Sequence, residues 1–102
     1  MGILSRLFGG GSSNLTDVLN RNPIIIDVRT SDEFRMGHIQ GCKNMPLQQL
    51  DTKIASVPKD KPIVFCCASG ARSGAATRLA RSLGYEAVNG GSWVSVQNQL
   101  GK

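Results

Sequence analysis

The sequence predicts a small α/β domain whose central parallel sheet is covered by helices on both faces. Three observations carry this. Short apolar runs, Pro23-Ile24-Ile25-Ile26 and Pro62-Ile63-Val64-Phe65-Cys66, alternate with helix-patterned segments at the spacing of βαβ units. The first run carries three β-branched isoleucines after its proline and is apolar on both faces, which suits a central strand of a covered sheet. At 102 residues the chain makes one domain, long enough for a core without disulfide or metal staples.

The elements follow in order. Asn14 reads as a helix N-cap, with Asp17 in the first turn; Leu15, Val18 and Leu19 form one apolar stripe. This helix must stop near Asn22, because Pro23 follows. The strand Pro23–Ile26 delivers Asp27-Val28-Arg29 to its C-terminal end. Thr30 to Glu33 matches a capping box and starts a short helix through Phe34 and Met36, ended by Gly37. His38-Ile39-Gln40-Gly41 is a turn-rich passage and Cys42–Met45 a short strand. Pro46 introduces a third helix, with Leu47, Leu50 and Ile54 on its buried side. Val57 to Pro62 is a surface turn before the second apolar run. Ala76, Leu79, Ala80 and Leu83 then recur at i, i+3, i+4 and i+7, the period of a helix, and Gly84 caps it. Tyr85–Val88 reads as a strand and Asn89-Gly90-Gly91 as a tight turn. The tail from Ser92 to Val96 alternates like a strand and fits the start of a closing helix equally.

Charge and cysteine content exclude several classes. The net charge is +5, with no long basic run and none interleaved with aromatics. Such a field gathers small anions, and nucleic acid is not an expected partner. Three cysteines, two of them adjacent, do not make a disulfide framework. No CxxC pair exists and the sole histidine, His38, has no partner at a metal-ligand spacing, so no metal or other cofactor is expected. Free thiols suit a reducing compartment, and the cytoplasm is the expected location. Residues 1–13 read as an apolar, Gly-rich leader ahead of a single domain at 14–102. The leader's apolar run is too short for a signal-peptide core. Arg6 stands where a myristoylation motif needs Ser or Thr. With so few apolar residues to bury, membrane contact through the leader is not expected.

The chemistry concentrates in Cys67-Ala68-Ser69-Gly70-Ala71-Arg72-Ser73, between the second apolar run and its helix. Strand, tight small-residue loop and helix N-terminus together form an anion cradle, because loop amides converge where the helix adds partial positive charge. A cysteine at its mouth should have a depressed pKa. Arg72 adds a planar fork of donors for an anionic substrate, and a cation at a helix start implies that something negative lies close. Ser73 either donates to the thiolate or caps the helix. These parts describe two chemistries: sulfur transfer through a cysteine persulfide, or phosphate-ester hydrolysis through a phosphocysteine.

The ordered motifs narrow the choice. Ile26-Asp27-Val28-Arg29, Glu33-Phe34, Gly37-His38-Ile39-Gln40-Gly41, Asn44-Met45-Pro46-Leu47, Lys61-Pro62-Ile63-Val64, the loop Cys67–Ser73, Gly84-Tyr85 and Asn89-Gly90-Gly91 before Trp93 together resemble the rhodanese-like sulfurtransferase family over residues 14–95. The resemblance implies that Cys67 takes a sulfane sulfur from a small anionic donor such as thiosulfate and holds it as a persulfide. Cyanide or a thiol then accepts the sulfur in a ping-pong cycle. Two alternatives stay open. Counted from Cys66, the spacing Cys66-x5-Arg72 is that of cysteine-based phosphatases and arsenate-type reductases. A carrier that holds persulfide for an acceptor protein uses the same loop without turnover. Cys66 continues the strand and should face away from Cys67. Its other role, as a resolving thiol, requires a strained vicinal bridge. Asp27 and Arg29 read as a loop-fixing pair with Glu33 beside Arg29, and the resemblance makes His38 a structural turn residue. Cys42 stands where the family has alanine, which suggests a small buried residue.

Overall fold

In the computed structural model, which describes residues 14–101, Asn14 caps the first helix as expected, its Oδ1 accepting from Asp17 N at 2.8 Å. The expected leader, 1–13, lies outside the described residues. Helix α1 (Leu15–Leu19) is shorter than the sequence suggested, because Asn22 turns with φ +54° before Pro23. Strand β1 (Ile24–Asp27) follows, then α2 (Ser31–Arg35), whose capping box is complete: Thr30 Oγ1 accepts from Glu33 N, and Thr30 N donates to Glu33 Oε1. Strand β2 shrinks to Lys43–Asn44. The third helix expected from Pro46 is broken into a 3₁₀ turn at Leu47–Gln49, α3 at Leu50–Lys53 and a second 3₁₀ turn at Ile54–Ser56.

Strand β3 (Ile63–Cys67) runs one residue further than expected, so Cys67 closes the strand, and α4 (Ala71–Ser82) leaves from the loop behind it. Strand β4 covers Ala87–Ser92, where a strand at 85–88 and a tight turn at 89–91 were expected. The two glycines are a bulge inside the strand: Phe65 pairs with Asn89 and Cys66 with Gly91, leaving Gly90 as the extra residue. A Cβ at Gly90 would lie 2.6 Å from Val96 Cγ2 and 2.8 Å from Val64 Cγ1, so the position has no room for a side chain. The open question of the tail resolves as helix α5 (Trp93–Gln99), because Ser92 Oγ accepts from Ser95 N at 3.1 Å as an N-cap.

The sheet is wholly parallel in the order β2-β1-β3-β4, with Ile26 opposite Lys43 and Phe65. Side chains alternate across β3. Ile63, Phe65 and Cys67 pack on one face with Leu50 of α3 and Ala76 and Ala80 of α4. Val64 and Cys66 pack on the other with Val18 of α1 and Val96 of α5. The predicted α/β architecture with helices on both faces is therefore the observed one. It places Cys67 at the C-terminal edge of the sheet, where loops leave for helices.

Candidate active site

The sulfur of Cys67 is the point on which the loop converges. Gly70 N donates to Sγ at 3.0 Å and Ser73 N at 3.4 Å, and Ser73 Oγ lies 3.3 Å away. Gly70 makes this possible: at φ +109° it turns the chain through a left-handed conformation, aiming its own N–H back at the sulfur as α4 begins. Cys67 and Ser73 are buried, whereas Ala68, Ser69 and Ala71 are exposed. Burial raises the Cys67 pKa. Donation from the Ser73 hydroxyl and from the N–H groups of Ser73, Gly70 and Ser69 outweighs it, and the pKa ends below its ordinary value.

Cys66 has the opposite environment. It has no exposure, faces the α1 and α5 side and is pushed far up by burial. A nucleophile at Cys66 could not receive the loop amides, so the geometry supplies nothing for the Cys66-x5-Arg72 reading. Cys42, expected as a small buried residue, is half-buried beside a groove of about 480 Å³ on that same side, its thiol pushed up to about 11 by burial and by Asp27.

Arg72 does face a negative group, as its place at a helix start implied, but the group is Glu33. Arg72 Nη1 donates to Glu33 Oε1 at 2.7 Å and Nη2 to Oε2 at 3.0 Å, a bidentate pair across the mouth of the loop. Glu33 is thus the partner of Arg72 and not, through its carboxylate, of Arg29. Arg72, then the Thr30 N–H, hold the Glu33 carboxyl down to about 2. A carboxyl depressed in this way stabilises the fold above its unfolded value near 4.5 and loses the contribution as pH falls through about 2. Glu33→Gln, which keeps the capping box, is expected to lower the thermal midpoint at pH 7. The gap to wild type should close on acidification across that window, as thermal melts between pH 7 and 2 will show.

Asp27 and Arg29 form a buried ion pair. Asp27 is fully buried and grips Arg29, with Arg29 Nη2 donating to Oδ2 at 2.7 Å and Arg29 N to Oδ1 at 3.0 Å. Arg29 also donates to the carbonyls of Glu33 and Gly37, and its guanidinium lies 4.9 Å from the Trp93 ring centroid. One side chain thereby ties the end of β1, α2 with the turn after it, and α5 together. His38 is exposed and stacked on Phe34 at 3.7 Å, with Nδ1–H donating to Phe34 O. Val28, Pro46, Leu47 and Gln48 line a cleft of about 300 Å³ that opens beside Arg72. Among the described residues, no cluster of metal-binding side chains occurs and no helix is long and apolar enough to cross a membrane.

Asn89, whose sequence context reads as a tight turn, belongs to the site. Its Oδ1 accepts from Ser73 Oγ at 2.7 Å and from Gly91 N at 2.9 Å, while Nδ2 donates to Gly70 O at 3.0 Å. The available signal was an asparagine directly after a strand-like run: strands disfavour the residue unless its amide has partners.

The chain is 41% identical over 64 residues to the uncharacterized protein YqhL of Bacillus subtilis, covering 63% of this chain and 51% of that protein. It is 34% identical over 65 residues to the thiosulfate sulfurtransferase PspE of Escherichia coli, covering 62% of each. It therefore spans between half and two thirds of the length of these relatives. The structure of the human single-domain sulfurtransferase TSTD1 superposes with a TM-score of 0.66 at 31% identity, covering 78% of this chain and 84% of that one. A profile of the rhodanese-like domain matches residues 13–98, and the chain belongs to the rhodanese-like domain family.

Proposed function

We propose that this chain is a sulfurtransferase in which Cys67 carries the transferred sulfur as a persulfide. The convergence of the Gly70 and Ser73 amides on Cys67 Sγ supports this most directly, because it favours an anionic sulfur at that position. The family and the sulfurtransferase PspE among its relatives point the same way. In the first half-reaction the Cys67 thiolate attacks the outer sulfur of a donor such as thiosulfate. The S–S bond of the donor breaks, sulfite leaves with the bonding pair, and Cys67 keeps the sulfane sulfur. In the second, the nucleophile of cyanide or a thiol attacks that sulfur, and the Cys67 thiolate leaves.

Each part of the loop has a task in this reading. The Gly70 and Ser73 amides stabilise negative charge on sulfur without any proton transfer. Ala68, Ser69 and Ala71 are small and exposed, so they leave the approach open. Arg72, with its charge balanced by Glu33, orders the rim and offers the remaining donor capacity of its guanidinium to an anionic donor. The cleft beside it suits an acceptor larger than cyanide, such as a small organic thiol or the cysteine of an acceptor protein. A reducing compartment, the cytoplasm, fits the free thiols.

Intact-protein mass after thiosulfate treatment without acceptor tests the proposal. Wild type and Cys66→Ala should each gain one sulfur atom, and Cys67→Ser none. Added cyanide or thiol should remove the extra mass. A gain that persists in Cys67→Ser, or no gain in wild type with any sulfane donor, overturns the assignment. Loading without discharge to any acceptor identifies a carrier instead.

A further inference from the structure

We propose that Asn89 is a positioning residue for the Cys67 sulfur, acting by controlling the direction in which the Ser73 hydroxyl donates. The inference deepens the proposed function and rests on Cys67 being the reactive sulfur. Ser73 has one hydroxyl hydrogen and faces two acceptors, Asn89 Oδ1 at 2.7 Å and Cys67 Sγ at 3.3 Å. With the thiol protonated, donation runs in one direction: S–H to Ser73 Oγ, then Ser73 O–H to Asn89 Oδ1. When the thiol proton leaves to solvent, the sulfur becomes an acceptor and the Ser73 hydroxyl turns to it. Asn89 Oδ1 is not orphaned by that rotation, because Gly91 N still donates to it at 2.9 Å.

The same amide fixes the rest of the cradle. Asn89 Nδ2 donates to the carbonyl of Gly70, the residue whose N–H meets the sulfur. One side chain on β4 thus holds both the hydroxyl and the glycine that face Cys67. The β4 bulge makes this reach possible, since Gly90 and Gly91 loop back so that Gly91 N–H closes on the Asn89 side chain. The other charged or titratable groups around the loop are Arg72 with Glu33 of α2, Asp27 at the end of β1 with Arg29 just after it, Cys66 behind it on β3, and Arg78 of α4 near Gly74. The hydrogen bonds of the Ser73 hydroxyl and the Asn89 amide run to Cys67, Gly70, Gly91 and each other instead.

An uncharged acceptor matters here. Aspartate in place of Asn89 keeps the shape and the acceptor oxygen but gives up the Nδ2 donor to Gly70 O, in either background, and adds a negative charge within about 6 Å of the sulfur, the range over which like charges disfavour each other. It competes for the Ser73 hydrogen and opposes the thiolate. The test is the pH dependence of iodoacetamide alkylation, followed by intact mass, in the full chain carrying Cys42→Ala and Cys66→Ala so that Cys67 is the only thiol. Asn89→Asp should move the midpoint up by about one to two units. In a Ser73→Ala background the same substitution should move it less. An unchanged midpoint, or an equal shift with and without the hydroxyl, overturns the proposal. Should Asn89→Asp fail to fold, Asn89→Ala provides the second test. With the competing acceptor gone, Ser73→Ala should shift the midpoint further than it does in wild type, and an equal shift overturns the proposal. Alkylation reads the thiol whatever group Cys67 transfers, so failure here is distinct from failure of the mass test for sulfur loading.

Discussion

Cys67→Ser is expected to lower kcat/KM for thiosulfate-to-cyanide transfer by at least about a thousandfold, because a serine hydroxyl forms no persulfide and the covalent route is lost. Cys66→Ala should stay within a fewfold of wild type. The contrast follows from one residue of strand alternation: Cys67 meets the amides of Gly70 and Ser73, while Cys66 faces the α1 and α5 side without exposure. A steady-state assay of both variants checks this. The reactivity of the three thiols should separate in the same way. Cys67, with its pKa below the ordinary value, should alkylate at lower pH than Cys42 and Cys66, whose pKa values lie above it. A Cys67→Ser variant that retains turnover would transfer the role to another thiol.

The second large effect is structural. Asp27→Ala should destabilise the domain by about 3–5 kcal/mol, the usual cost of stranding one member of a buried ion pair. The side chains of Asp27 and Arg29 are 0% and 6% exposed, so water cannot replace the lost carboxylate. The guanidinium would keep the carbonyls of Glu33 and Gly37 but lose its counter-charge, and the Arg29 N–H would lose its acceptor. For a domain of this size the thermal midpoint should fall by at least about 12 °C. Replacing both partners, as Asp27→Leu with Arg29→Met, should cost much less than the single change, because no buried charge is left behind. Thermal melts of the single and double variants decide it; equal losses would show that the pair acts through shape and not through charge.

Much of the architecture was legible because local signals agreed with the global one. Asn14, Thr30 with Glu33, and Gly84 marked helix ends through side-chain caps and turn geometry that depend on only a few neighbouring residues. The Ile24–Ile26 run announced a strand covered on both faces, and alternation along β3 separated Cys66 from Cys67. Boundaries were less legible. The segment after Pro46 has apolar positions at helical spacing, yet it breaks into a 3₁₀ turn, one helical turn and another 3₁₀ turn. Asn89-Gly90-Gly91 has turn composition, but the crowded contact of Gly90 with Val64 and Val96 makes it a bulged strand.

The sequence by itself determined the fold class, the placement of Cys67 at a strand end before a helix, and the loop of small residues that brings amides to its sulfur. These depend on periodicity, capping and the short reach of a few consecutive residues. Only the tertiary structure decided the partners of that loop. Glu33 and Arg72 are 39 residues apart and meet because β1 and β3 pair in parallel, bringing α2 and the Cys67 loop to the same edge of the sheet. Asn89 reaches Ser73 because β4 pairs with β3 and a glycine bulge turns its side chain toward the loop. Nothing local distinguishes these partners from a capping glutamate and a turn asparagine. Their identity depends on strand register, which is a property of the assembled sheet.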